Sequence, residues 1–229
     1  MTFARLIRAL PVIAFLFAHQ TQACPAYIEP EIEVIPSMAT PNLNSAYSAR
    51  QLEALQYKTG SYQHEEIPSG LTTFGQNIKS AYEFREATQP DGSVCAQVSH
   101  ITLTLAIENL TVHVASELPM GTCSYKTILD HEMKHVHTAQ RFLDGAVAPA
   151  TRQLKRLIDG IGMIHTQSSA EARNYIKQTV GDFINTLSQN LIIVCNTMEQ
   201  EIDTKEEYER LSKACHGEMA TFGRRVRRY

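Results

Sequence analysis

Residues 124–147 read SYKTILDHEMKHVHTAQRFLDGAV and carry the clearest secondary-structure pattern in the chain. Apolar side chains recur there at spacings of three and four, which is the period of one helix face. They are Ile128, Met133, Val136, Ala139, Phe142, Leu143 and Val147. The pattern predicts an amphipathic helix that Pro149 should kink or interrupt, with a stop near residues 160–162.

Within this helix, residues 131–135 read HEMKH and fit the pattern H-E-x-x-H. Histidines four residues apart lie on one helix face, about one turn from each other, and can bind one Zn²⁺. Glu132 is rotated by ~100° and can take a proton from a zinc-bound water that attacks a peptide carbonyl. The motif therefore predicts a zinc-dependent metallopeptidase with His131 and His135 as ligands and Glu132 as general base. The alternative is a polar helix face with two hydrogen-bonded histidines.

A hydrolytic zinc site needs a third protein ligand. The extended form H-E-x-x-H-x-x-G-x-x-H is not present, so the ligand must come from a later helix. If the next long helix folds back antiparallel, residues 196–203 come level with the histidines. We take Glu199 as the first candidate and Glu206 as the next. Asp203 is a further option, although it competes with an N-cap role.

Two β-rich runs precede the motif, at residues 98–107 and 110–115, and the polar pair Glu108-Asn109 separates them. Their alternating pattern predicts an antiparallel hairpin. The second strand would be an edge strand that can hold an extended peptide by strand addition.

Helical patterns dominate the rest of the chain. A second long helix runs from Ser169 to about Ile202, and Thr204 with Glu207 fits a capping box that begins another helix, which ends at Gly217. The fold class predicted is α+β, with a small antiparallel sheet followed by a long-helix C-terminal half that carries H-E-x-x-H.

Residues 1–23 have the pattern of a secretory signal peptide. Two arginines precede a short apolar run at residues 10–18, and the small residues Thr21 and Ala23 stand at the −3 and −1 positions. Cleavage after Ala23 would give a secreted or periplasmic protein. The competing interpretation is a lipoprotein anchor on Cys24.

The mature chain divides into three parts by composition. Residues 24–46 are proline-rich and indicate an extended leader, residues 47–217 form the folded domain, and residues 218–229 form a basic tail. The tail is either a solvated terminus or a contact for anionic lipid or nucleic acid. Nothing else favours a nucleic-acid partner, no later run is long enough to span a bilayer, and no pattern specifies an oligomeric state.

The mature chain holds five cysteines: Cys24, Cys95, Cys123, Cys195 and Cys215. In an oxidising compartment, an odd number predicts two disulfides and one leftover thiol. Cys24 is the natural leftover because it lies in the proline-rich leader. The pairing of the others stays open.

Two segments carry a resemblance to a known family. CSYKTILDHEMKHVHTAQRFLD, after a strand, and the later IDTKEEYERLSKAC resemble bacterial secreted proteins described as zinc-dependent peptidases of unknown function. The resemblance covers about residues 95–215. It implies a compact, zincin-like H-E-x-x-H fold with zinc on His131 and His135 and with Glu132 as base. The Y-D-x-x-T-x-H-G ending of some relatives is echoed at residues 208–217, which adds Glu209 and His216 as candidate ligands.

Overall fold

The structure is a computed structural model that describes residues 23–59, 67–222 and 226. The predicted signal sequence up to residue 22 and most of the basic tail lie outside these residues. The elements in chain order are β1 Glu31–Met38, β2 Asn42–Asn44, α1 Ala49–Thr59, β3 Gly70–Thr88, β4 Val94–Val114, α2 Cys123–Ile161, β5 Ile164–Thr166, α3 Ser169–Gln200 and α4 Lys205–Gly217. The predicted combination of a small sheet with helices in the C-terminal half is confirmed.

The long strand β4 is the centre of the sheet. One edge pairs with β3 in antiparallel register, from Gly70 opposite Val114 to Thr88 opposite Val94. The other edge pairs with β5, β1 and β2 in succession, and of these β1 and β2 run parallel to β4. The sheet is therefore mixed, and the prediction of an antiparallel sheet is wrong. Alternation in a sequence identifies a strand, but it does not identify the partner or direction of that strand.

The predicted hairpin within residues 98–115 is also wrong, because β4 continues through Glu108 and Asn109 without a turn. Asn109 instead adopts a positive φ of 54°, and the register with β3 shifts between Thr73 and Gly75 opposite it. The polar pair thus marks a bulge, for which asparagine is suited because it tolerates the left-handed region. The observed hairpin joins β3 to β4, and the Gln89 N–H donates to the Ser93 carbonyl at 2.8 Å across its turn.

The helices cover one face of the sheet. The β4 side chains on that face are almost completely buried in the main core, namely Ile101, Leu103, Leu105 and Ile107. Their neighbours Thr102 and Thr104 point to the opposite face and are only partly buried. The result is a two-layer architecture in which the sheet packs against α2 and α3.

Helix α2 contains 39 residues and is about 58 Å long. The Thr122 side chain caps its first turn by accepting a hydrogen bond from the Tyr125 N–H at 3.2 Å. The helix continues through Pro149, where an interruption was predicted, and ends before Gly162, as predicted. Burial of Ala150 and Leu154 after the proline offsets the hydrogen bond that its ring removes.

Residues 24–46, expected as an extended leader, contribute β1 and β2 to the sheet. The segment before β1 is also held to β4, since the buried Gln97 amide bonds both the N–H and the carbonyl of Ile28, at 3.1 and 2.6 Å. Pro36 is compatible with β1 because that strand lies at the sheet margin, where a missing N–H is tolerated.

The five cysteines form two disulfides and one free thiol, as predicted. The pairs are Cys24–Cys95 and Cys123–Cys215, and the free cysteine is Cys195, which is buried. The assignment of Cys24 as the leftover is therefore wrong, because the leader is anchored beside β4. The disulfides fit an extracellular or periplasmic protein. Among the described residues, no helix is both long and apolar enough to cross a bilayer.

Candidate metal centre

His131 and His135 lie one turn apart on α2, as the motif predicts. Their ring centroids are 5.2 Å apart and the rings stand edge to face, with an interplanar angle of 84°. Both residues are buried, at 4% and 7% exposure. Burying two unpaired imidazoles would be costly, so the groups that surround them decide what the site can do.

The turn between α3 and α4 brings a carboxylate to both histidines. Helix α3 ends at Gln200, and Thr204 caps α4 by accepting a hydrogen bond from the Glu207 N–H. Asp203 therefore stands free of the capping role. Its Oδ1 atom lies 3.2 Å from Nε2 of His131 and 3.3 Å from Nε2 of His135. Three potential ligand atoms thus converge on one point.

Two further carboxylates lie behind the rings. Nδ1 of His131 is 3.1 Å from Oε1 of Glu207, and Nδ1 of His135 is 2.5 Å from Oε2 of Glu199. A carboxylate on Nδ1 orients an imidazole and leaves its Nε2 available, which is the arrangement commonly found around metal-bound histidines.

Burial and neighbouring charged groups set the pKa values of the residues in this cluster. Burial alone would lower the pKa of His135, but hydrogen bonds to Asp203 and Glu199 outweigh it and raise the pKa to about 10. The pKa of His131 is raised in the same way by Asp203, Glu132 and Glu207 against burial. Burial alone would raise the pKa of Asp203, but its hydrogen bonds to the two histidines hold that pKa well below the usual range. In the absence of a metal, protons therefore supply the positive charge that this cluster requires.

His131, His135 and Asp203 form a group that can hold a metal ion, with one ligand atom from each within 4.8 Å of the others. Two imidazole nitrogens and one carboxylate oxygen are a donor set that Zn²⁺ accepts, and three protein ligands leave one position of a tetrahedron for another group. The residues present therefore fit zinc.

The other predicted ligands occupy different places. Glu199 meets the far nitrogen of His135, although its second oxygen, Oε1, is buried without a hydrogen-bond partner among the described residues. Glu206 lines an open groove beside α2, and Glu209 is exposed next to Lys213. His216 lies in a left-handed kink at the end of α4. None of these last three joins the convergent group.

Glu207 was not predicted as a partner of His131, because the capping-box pattern gave it another role. The Glu207 N–H is capped by Thr204, but its carboxylate turns to His131, to Lys134 at 2.6 Å and to Arg210 at 2.7 Å. Hydrogen bonds from Arg210, together with Lys134 and His131, hold the pKa of Glu207 well below its usual range despite burial.

The predicted general base, Glu132, lies on the side of α2 that faces β3. It is 5% exposed, and its Oε2 atom accepts a hydrogen bond from the Thr72 hydroxyl at 2.9 Å. The segment predicted as an edge strand, residues 110–115, spans the end of β4, which pairs with β3 on one side and at residues 111–113 with β2 on the other. Among the described residues, the strand beside the motif with one unpaired edge is β3.

The fold and site together define a mixed α/β protein with a cluster of two buried histidines and one partly buried aspartate that can hold a metal ion. Comparison of the chain with protein-family models, with curated proteins and with solved structures finds no match. What the site does is therefore judged from its own geometry.

Proposed function

We propose that this chain is an exported zinc-dependent peptidase. One observation carries the proposal: the Nε2 atoms of His131 and His135 converge with Asp203 Oδ1. The buried carboxylate of Glu132 is close enough to interact electrostatically with all three residues. The motif spacing, the acid from the turn after α3 and the neighbouring edge strand all agree with a zincin-like arrangement. The disulfides support export.

The chain's own residues take distinct roles in this proposal. His131, His135 and Asp203 hold the ion, while Glu199 and Glu207 orient the rings. Zinc, when bound, lowers the pKa of a water molecule and polarises the peptide carbonyl. Glu132 accepts the proton of the attacking water and delivers it to the leaving amine. Burial raises the pKa of the Glu132 carboxyl above its ordinary value.

The second candidate is a non-catalytic cell-envelope protein that keeps the metal for binding or assembly. The burial of the motif favours it, because His131, Glu132 and His135 are at most 7% exposed. A substrate carbonyl must reach the ion, so catalysis requires the cluster to open on the side of β3 or of the α3–α4 turn.

Glu132→Gln distinguishes the two candidates. The amide cannot act as a base, so we expect zinc content to stay at the wild-type level while hydrolysis of a quenched fluorescent peptide library falls by about 10²–10⁴-fold. Glu209→Gln is the matched control, since this carboxylate is exposed and away from the cluster. A zinc-loaded wild type that cleaves no peptide or protein, or an active Glu132→Gln variant, would contradict the peptidase proposal.

A further inference from the structure

The first residues of β3 lie next to α2, and Thr72 among them contacts Glu132. The Thr72 Oγ1 atom lies 2.9 Å from Oε2 of Glu132 and 3.2 Å from the backbone carbonyl oxygen of the same residue. A single hydroxyl thus reaches both the side chain and the main chain of the proposed base. Among the described residues, Thr72 is the side chain that hydrogen-bonds the Glu132 carboxylate.

Gly70, two residues earlier on the same face of β3, leaves the space that the carboxylate fills. A Cβ atom built on Gly70 would lie 2.5 Å from Oε1 of Glu132 and 2.6 Å from Cγ2 of Ile128. Both distances are far below van der Waals contact. Any larger residue at position 70 would therefore displace Glu132, Ile128 or the start of β3.

We propose that Gly70 and Thr72 are the positioning residues of the general base: Gly70 provides the space and Thr72 provides the hydrogen bond that hold the Glu132 carboxylate beside the metal cluster. The inference rests on the proposed function for its catalytic consequence. The placement of the carboxylate itself does not depend on hydrolysis. The positioning role and the peptidase function can therefore be refuted separately.

Thr72→Val and Thr72→Ser test the hydrogen bond, because valine keeps the shape and serine keeps the hydroxyl. With zinc content unchanged, we expect Thr72→Val to lower kcat by about 10–100-fold with little change in KM, since a hydrogen bond to a charged group is lost. Thr72→Ser should restore most of kcat. Equal activity of the wild type and Thr72→Val would overturn the proposal.

Infrared spectroscopy tests the hydrogen bond to the Glu132 carboxyl group independently of catalysis. The infrared band of Glu132 is identified in the metal-free protein as the band that Glu132→Gln removes. We expect Thr72→Val to shift this band and Thr72→Ser to leave it near the wild-type position. A shifted band in a protein that hydrolyses nothing supports the contact and refutes the peptidase function. An unshifted band in Thr72→Val refutes the contact.

Gly70→Ala tests the space, and Gly75→Ala on the same strand is its matched control. The nearest atom to a Cβ at Gly75 is the Glu108 carbonyl oxygen at 3.8 Å, an ordinary contact. Among folded variants, judged by circular dichroism, we expect only Gly70→Ala to shift the Glu132 band. If Gly70→Ala does not fold, the Thr72 pair decides the proposal. An unshifted band in a folded Gly70→Ala would overturn the role of Gly70.

Discussion

At the residue scale, the central feature is that each imidazole lies between two carboxylates. His131 and His135 share Asp203 on their Nε2 atoms, and each has its own acid on Nδ1, Glu207 and Glu199 respectively. The shared acid is placed to bind an ion, and the separate acids are placed to orient the rings. This difference in position predicts a difference in the effect of removing each acid.

Isosteric substitutions separate the roles of the three acids. We expect Glu199→Gln and Glu207→Gln to weaken zinc affinity by about 10–100-fold, the usual effect of losing a group that orients a ligand. Asp203→Asn should weaken it further, because a direct ligand is lost. Competition with a chromophoric chelator measures all three. If Glu199→Gln costs more affinity than Asp203→Asn, Glu199 is the third ligand, as the sequence interpretation ranked it.

His131, Glu132 and His135 were visible in the sequence because five consecutive residues on one helix fix their relative geometry. Asp203 could not be chosen over Glu199, since that choice depends on where α3 ends. The sequence pattern predicts that this helix continues to about Ile202. The helix ends at Gln200, and the turn that follows, in which the Ile202 N–H donates to the Glu199 carbonyl, points Asp203 at the histidines.

At the scale of elements, the disulfide Cys123–Cys215 ties the first residue of α2 to the end of α4. Helix α4 carries Glu207 and follows directly after Asp203. The bridge therefore restrains the segment that supplies two of the acids to the histidines. The other disulfide, Cys24–Cys95, ties the N-terminal segment to β4 at the opposite end of that strand from Gly70 and Thr72.

Removing each disulfide separates its effect on folding from its effect on the site. We expect Cys123→Ser/Cys215→Ser and Cys24→Ser/Cys95→Ser each to lower the free energy of unfolding by about 2–5 kcal/mol, because both close loops of many residues. Only the first pair should also weaken zinc affinity in the folded protein. Chemical denaturation and zinc competition measure the two effects. Equal zinc affinity in both double variants would contradict the restraining role of Cys123–Cys215.

The elements also show what a sequence pattern leaves undetermined. Alternation located β4, and the helical period located α2 and α3, because burial of one face imposes those periods. A polar pair such as Glu108-Asn109 fits either a turn or a bulge, and the choice depends on whether the partner strand continues alongside. Here β3 does continue, so the chain makes one long strand where two were predicted.

At the scale of the whole molecule, the sheet and helices form two layers, and the site lies where three separate segments meet. Helix α2 supplies the histidines and Glu132, the turn after α3 supplies Asp203, and the start of β3 supplies Gly70 and Thr72. These segments are far apart in sequence, so only the folded chain assembles the cluster. A bound ion would in turn stabilise the fold that brings them together.

Zinc analysis of the purified chain tests the central claim most directly. The protein is prepared without a histidine tag and without chelators, and its metal content is measured beside that of Asp203→Asn. We expect about one zinc per wild-type chain, with anomalous scattering at the zinc edge between His131, His135 and Asp203, and much less zinc in the variant. Less than about 0.2 zinc per wild-type chain, or zinc bound away from these three residues, would contradict the account.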